Sequence, residues 1–526
     1  MSELHLPNRV RRLAAEHPDR PAVTAGDSTL TYRDLDAYTN RVATALQSLA
    51  ADPKRVGALL RMGLPGAATF VGCAKAGLVF TPINWRLTPG ESAVIAVDAE
   101  LSVLVVEADF ADAAHAVAQS LPDVHVVVVG DASLVPGART WDQLLDEGTD
   151  IDPGFGDDPH AEVLQLYTSG TTGKPKGVVA VHRNLYNVQE NFDLYEFEHD
   201  SVSLNALPLF HIAGAGWIST SLSAGLHLVL LGEMRPALVA QAIADHRVTH
   251  AFLVPAAIGM LLEHPDLERY DLSSLEVVAY GASPITPTLL ARTMDTLDCR
   301  LVQRYGMTET TGALTALRAG DHDPHGPRTH LLRSAGTPLP GTEVQIRDIV
   351  TGEPLPQGAT GEIVSRSRNN VAGYWRRDAE TAAMYTEDGF LRTGDAGHID
   401  RDGYLFVTDR VKDMIITGGE NVYPVEVEAV LAEHPAVAEV AVVGLPDARW
   451  GEAVTAVVRL AEGVEPPTES ELVAFTSGRL ASYKKPRRIH IVRELPRNAS
   501  GKILKRTLRD TLPTRDTLPT AQEAGR

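Results

Sequence analysis

The chain alternates between two hydrophobic periods. Short aliphatic runs at 55–60, 101–107, 124–130 and 163–167 have the length of buried strands. Residues 10–17, and the stretch from Thr31 to 49, repeat their apolar positions at helical spacing. Thr31 stands where an N-cap belongs, with Asp34 in the capping-box position. Residues 22–32 read as a hairpin, and 67–76 continues the alternation of strands and helices. A second run of the same kind starts near Ser201. It holds a helix from about Ala215, a strand at 226–231, a helix at 236–246, and strands at 251–254 and 275–280. Such alternation predicts parallel α/β sheets. From 336 to 406 the pattern breaks into short strands between Gly, Pro and Asp turns. After Lys412 it changes again. A helix starts near Pro424, strands fall at 437–443, 453–460 and 489–492, and a helix at 469–477.

The expected fold is therefore α/β. A large N-terminal domain of α/β subdomains, with a small β-barrel-like part, covers 1–411. A small hinged α+β C-terminal domain covers 412–508. The tail 509–526 carries the hexapeptide RDTLPT twice; its low apolar content predicts disorder.

Bulk properties narrow the function classes. A chain of 526 residues exceeds one core, and 44% apolar residues support several. The net charge of −20 argues against nucleic acid and anionic membranes as partners. Basic residues nevertheless gather between Lys484 and Arg509. No apolar run has the length of a membrane span; 204–231 comes closest, and Pro208 and His211 break it. The N-terminus has arginines but no apolar core after them, unlike a signal peptide. Cys73 and Cys299 have no metal spacing and are expected to be buried free thiols. A cytoplasmic protein is expected.

The stretch YTSGTTGKPKG at 167–177 turns the reading from fold to chemistry. Glycines allow close backbone approach to an anion, hydroxyls and N–H groups donate to phosphate oxygens, and lysines neutralise charge. It is not a Walker A loop, because Lys174 is followed by Pro175.

The string resembles the phosphate loop of the adenylate-forming superfamily, in its branch of acyl-CoA synthetases and fatty-acid or aryl-acid CoA ligases. Six further strings extend the resemblance: LPLFHIAG at 207–214, GASPI at 281–285, QRYGMTET at 303–310, RTGDAGHID at 392–400, DRVKDMIITGG at 409–419 and PRNASGKILK at 496–505. It implies ATP, Mg²⁺ and coenzyme A as cofactors, and a small-molecule carboxylic acid as substrate. It places Thr168, Ser169, Gly170, Thr171, Thr172, Gly173, Lys174 and Lys176 on phosphate. It implies that Gly281 and Ala282 would lie against adenine, Tyr305 would stack on it beside Gly306, and Val407 would press on it. On this resemblance Thr308 would bond the α-phosphate, Glu309 would hold Mg²⁺, Asp395 would take the ribose, and Arg410 would serve the same ribose or phosphate. His211, Trp217, Gly281 and Gly306 line the acyl pocket, with His211 as a gate. The same resemblance implies Lys412 as the hinge, Gly418 and Gly419 on the CoA side, and Lys502 as the catalytic lysine together with Thr308 and Glu309. Taken alone, His211 reads as a packed core histidine and Glu309 as an ordinary surface acid.

The implied reaction forms acyl-AMP and pyrophosphate, then acyl-CoA and AMP. Acetyl-specific relatives carry tryptophan at the position of Gly306, so the resemblance implies acids longer than acetate. No acid lies near His211 to hold an α-ammonium group. A medium- or long-chain fatty acid is expected. An aryl or arylpropenoic acid, or a stand-alone enzyme loading a carrier protein, stay as alternatives. A non-catalytic nucleotide binder and luciferase-type oxidation are further readings. Lys502 also resembles a lysine acetyltransferase target, and a homo-oligomer is left open.

Overall fold

The computed structural model describes residues 5–155, 158–169, 175–185, 192–417, 420–447, 449–461, 463–477, 479–497 and 503–512. The chain divides into two compact units. One comprises 1–344, 365–391 and 402–405; the other 345–364, 392–401 and the chain from 406 on.

The first unit carries two large sheets. One runs in the order Gly373–Tyr374, Pro175–Val181, Glu162–Ser169, Val79–Pro82, Arg55–Leu59, Val103–Glu107, His125–Val129, Arg139–Thr140. Its middle strands are parallel and buried on both faces, which their unbroken aliphatic runs require. The other sheet runs Thr337–Pro338, Gly312–Leu317, Arg300–Met307, Val277–Gly281, His250–Leu253, Val202–Asn205, His227–Leu230, Pro21–Ala25, Ser28–Thr31. It is parallel from Pro21–Ala25 through to Arg300–Met307 and antiparallel at both ends.

Helix Tyr32–Leu49 starts with the expected capping box, Thr31 and Asp34 bonding reciprocally. The stretch 67–76 forms part of helix Leu64–Ala76, buried all round. Its Lys75 is fully buried, and Asp36 Oδ1 at 2.6 Å and Asn40 Oδ1 at 2.7 Å accept from the ammonium. Two acceptors on Tyr32–Leu49 thus fix how the two helices pack. Cys73 and Cys299 are free and buried, and burial pushes both thiols up, Cys299 to about 12. Among the described residues no helix is long and apolar enough to cross a membrane.

The second unit holds most of a four-stranded sheet, Thr342–Arg347, Gly361–Ser367, Leu391–Ile399, Leu405–Arg410, where short strands were expected. Its other sheet runs Glu420–Val422, Ile415–Thr417, Gly451–Leu460, Val437–Asp447, with Arg488–Val492 parallel to Gly451–Leu460. Val427 and Leu431 of helix Pro424–Ala432 pack with Val442, Val454 and Ile489 of that sheet. The expected tail begins too early at 509. Helix Lys505–Thr511 runs through it, because Leu508 is buried and Arg509 reaches Asp413 at 2.8 Å. The repeat beyond residue 512 lies outside the described residues.

Three buried imidazoles in the first unit make its stability pH-dependent. Burial, then the neighbouring His5, pushes His182 down to about 3; burial pushes His250 and His322 down to about 4. His322 Nδ1–H donates to the Arg318 carbonyl and Tyr280 O–H to Nε2, both at 2.9 Å, which fixes the neutral tautomer. An unfolded histidine titrates near 6.5. Below that pH the unfolded chain takes up protons that the folded one refuses, so stability present above 6.5 falls as pH drops toward 4. The slope approaches about 1.4 kcal/mol per pH unit for each histidine. Asp409 and Glu428, raised chiefly by burial, have the opposite sign and belong to the second unit. Thermal melts from pH 7 to 5 are expected to show the first unit's midpoint falling steeply. His322→Gln should flatten that fall; an unchanged slope would remove His322 from the account.

Candidate functional site

The phosphate-loop stretch springs from a hairpin. Glu162–Ser169 pairs antiparallel with Pro175–Val181, with Thr168 opposite Lys176 and Ser169 opposite Pro175. Gly170, Thr171, Thr172, Gly173 and Lys174 lie outside the described residues. The hairpin is braced from beneath by residues that the sequence pattern does not single out. Tyr167 O–H donates to Asp98 Oδ2 at 2.7 Å, and Gln165 Nε2 donates to the same phenol oxygen at 3.1 Å. Arg55, 1% exposed, donates to Gln165 Oε1 and Glu162 Oε2, each at 2.6 Å. Its guanidinium lies 3.4 Å from the Trp375 ring centroid. Trp375 in turn donates its backbone N–H to the Gly177 carbonyl at 2.7 Å and its indole N–H to the Asp98 carbonyl at 3.0 Å.

Glu309 sits in the short turn Thr308–Thr310 between strands Arg300–Met307 and Gly312–Leu317. Thr310 holds that turn, its hydroxyl donating to the Gly312 carbonyl at 2.7 Å and accepting from Met307 N–H at 3.0 Å. Glu309 is buried, not an ordinary surface acid, and its Oε1 accepts from the Tyr374 hydroxyl at 2.9 Å. Among the described residues no cluster of three or more His, Cys, Asp or Glu could hold a metal. A single carboxylate suits Mg²⁺ carried mainly by phosphate oxygens, so the donor set fits that ion. Thr308, Tyr305 and Gly306, on or beside the same strand, are half-buried. Gly281 ends strand Val277–Gly281, and Ala282 follows it in the left-handed region at φ 67°, a strained conformation for alanine at a strand C-terminus.

Gly306 needs a different explanation from the expected one. A Cβ there would lie 1.8 Å from the Gly312 carbonyl oxygen, across the antiparallel pair. The strands approach too closely for any side chain, so a tryptophan at 306 would break their pairing before it could close a pocket. Nor is His211 a packed core histidine. It is exposed at the N-cap of helix Ile212–Ala224, 4.6 Å from the Phe210 ring. Desolvation, and after it the Arg86 guanidinium, depresses its pKa. Trp217 is buried, its indole N–H donating to the Leu204 carbonyl at 3.1 Å, and it packs edge-on against Tyr195 and Phe252.

In the second unit Asp395 and Arg410 come together. Arg410 Nε lies 2.8 Å from Asp395 Oδ1, and Asp395 is buried after Gly394. Val407 is half-buried on the same strand as Arg410, and Lys412 is exposed in the turn Val411–Asp413. That turn is clamped by helix Lys505–Thr511. Lys505 reaches Glu428 at 2.9 Å and Asp409 at 4.0 Å, and Arg509 reaches Asp413. Two acids four positions apart thus meet two bases four positions apart, a signal visible in the sequence only once the elements are known to adjoin. Gly418, Gly419 and Lys502 lie outside the described residues. The chain on either side of Lys502 is held, however. Arg497 pairs with Ile503, and Leu504 N–H donates to the Pro496 carbonyl at 2.8 Å.

Comparison with known proteins gives concordant matches. The pattern described as AMP-binding enzyme matches residues 10–375, and that of the AMP-binding enzyme C-terminal domain matches 426–502. A fatty acid–[acyl-carrier-protein] ligase, ScoC of Streptomyces coeruleorubidus, is 38% identical over 523 residues, covering 97% of this chain and 98% of that protein. An indoleacetate–CoA ligase of Aromatoleum aromaticum is 37% identical over 512 residues, covering 96% and 98%. The crystal structure of ATP-bound MatB from Rhodopseudomonas palustris superposes with a TM-score of 0.83 at 30% identity, covering 96% of this chain and 98% of that one.

Proposed function

The chain belongs to the AMP-binding enzyme family, and we propose that this ATP-dependent, AMP-forming acid–CoA ligase activates a medium- or long-chain fatty acid. The observation that carries the substrate is the apolar environment of the His211 stretch. Leu207, Leu209, Phe210 and Trp217 are all buried there, and no carboxylate accompanies them in 203–224. An amino-acid substrate would leave its ammonium group unpaired in such surroundings. A fatty acid as substrate of a relative this similar supports the same choice. The indoleacetate-activating relative favours an aryl acid as the second reading.

The residues take the following roles. Lys176, the loop and Lys502 neutralise phosphate charge, Thr308 donates to the α-phosphate, and Asp395 with Arg410 takes the ribose. Glu309 would hold Mg²⁺, which when bound supplies positive charge to the phosphate oxygens. The acid's own carboxylate attacks the α-phosphate, and pyrophosphate leaves. No protein nucleophile is needed, so positioning and charge stabilisation carry the rate. Coenzyme A then takes the acyl group and AMP departs.

The test is pyrophosphate release across acetate, butyrate, octanoate, palmitate, indoleacetate and an amino acid, followed by competition between CoA and a carrier protein for the acyl group. Octanoate or palmitate is expected to exceed acetate at least tenfold in kcat/KM. A preference for acetate or for the amino acid would refute the assignment.

We also place the hinge at Lys412. Lys412→Pro fixes φ at that residue and disfavours the helical turn at Val411. Single-turnover adenylation is expected to survive within about threefold, with the thioester step falling at least tenfold. Equal losses in both steps would move the hinge elsewhere.

A further inference from the structure

One phenol lies between two charged residues of opposite sign that serve the phosphates. The Tyr374 hydroxyl donates to Glu309 Oε1 at 2.9 Å. The ammonium of Lys176 stands 5.1 Å from the centroid of the same ring. A phenol keeps its proton at neutral pH, so Tyr374 is the donor and the carboxylate the acceptor.

Both ends of this contact are built in. Strand Gly373–Tyr374 pairs with Pro175–Val181, setting Tyr374 opposite Val178. Tyr374 N–H donates to Thr381 Oγ1 at 2.9 Å. Gly373 lies at φ 155°, and a Cβ there would meet the Thr381 side chain at 2.3 Å, so the close seat of Tyr374 requires glycine before it. On the other side, the Glu309 carbonyl accepts from Val371 N–H at 3.0 Å. The segment that carries the phenol therefore also grips the backbone of the acid it bonds.

We propose that Tyr374 is a positioning residue for the first half-reaction. It fixes the Glu309 carboxylate through Oε1, leaving Oε2 for a divalent cation, and seats the Lys176 ammonium over its ring. The proposal rests on the reading of Glu309 as the Mg²⁺ residue. A carboxylate free to rotate must be ordered each time it meets the ion. A hydrogen bond to the oxygen not facing the ion removes that cost, and losing such a partner typically weakens metal binding about 10–100-fold. The cation–π contact acts separately, through the ring, and does not need the hydroxyl.

The two roles separate by substitution. Tyr374→Phe removes the hydroxyl and keeps the ring; Tyr374→Leu removes both. Calorimetry without any carboxylic acid compares the affinity for ATP with Mg²⁺ and with chelator, and thermal melts check the fold. In the wild type Mg²⁺ is expected to strengthen ATP binding. Tyr374→Phe is expected to cut that advantage about tenfold while metal-free ATP affinity stays within twofold. Tyr374→Leu should weaken metal-free ATP binding as well. Glu309→Gln is the control, and Tyr374→Phe added to it should change nothing further. If Glu309→Gln keeps the full Mg²⁺ advantage, the metal reading of Glu309 fails and takes the proposal with it. If Glu309→Gln loses the advantage and Tyr374→Phe keeps it, Tyr374 has only a structural role and the proposal alone is overturned. A Tyr374→Phe variant that loses ATP affinity equally with and without Mg²⁺ overturns it too.

Discussion

Replacing Lys502 with alanine is expected to slow adenylate formation by about 10²–10³-fold. Thioester formation from supplied acyl-AMP should stay within a few-fold of wild type. The asymmetry follows from where charge develops. In the first step a carboxylate approaches a polyanionic phosphate, and pyrophosphate leaves with more charge. A fixed cation lowers that barrier, and the chain on both sides of Lys502 is anchored, by Arg497 pairing with Ile503 and by Lys505 held on Glu428. In the second step a thiol attacks a carbonyl and AMP leaves, so the same cation is not required. Lys502→Arg keeps charge but not shape, and should recover only part of the rate. Acetylation of Lys502 removes the charge and should mimic alanine. Single-turnover assays of the two half-reactions decide the matter; equal losses in both would end this assignment.

Arg55→Met is expected to destabilise the first unit by about 3 kcal/mol. Arg55 is almost fully buried, and its donors serve Gln165, Glu162 and the Pro53 carbonyl. Methionine roughly fills the volume but leaves buried Gln165 Oε1 without its donor and removes the cation from Trp375. Glu162 is partly exposed and contributes less, since water screens it. The hairpin flanking residues 170–174, proposed to bind phosphate, is bonded to this residue through Gln165 and Glu162, so KM for ATP should rise along with the loss of stability. Denaturant unfolding measures the stability, and initial rates across ATP concentrations measure KM. A shift under about 1 kcal/mol would mean that Arg55 only fills space.

Local rules made much of the fold legible. Thr31 with Asp34 marked a helix start, and helix Pro236–His246 matches its expected bounds. The change of pattern after Lys412 anticipated the helix and strands of the small sheet. Strand order was not legible, because Pro21–Ala25 pairs with His227–Leu230, and no local period encodes a partner so distant. The bracing of the hairpin escaped for the same reason. Arg55, Asp98, Gln165 and Trp375 look unrelated along the chain and become one network only when folded. Gly306 shows the reverse error. Its missing side chain suggested empty space, whereas the fold puts the Gly312 backbone there. Among the candidate residues, the exposure of His211 and the burial of Glu309 both departed from what each residue type suggests in isolation.

The central claim, that this chain activates a carboxylic acid through an acyl-adenylate, is tested most directly by acid-dependent exchange of labelled pyrophosphate into ATP without CoA. Exchange is expected with octanoate and absent without acid. Adding CoA should then convert the system to stoichiometric AMP and octanoyl-CoA. ADP and phosphate as products, or no exchange with any acid of the panel, would contradict the account.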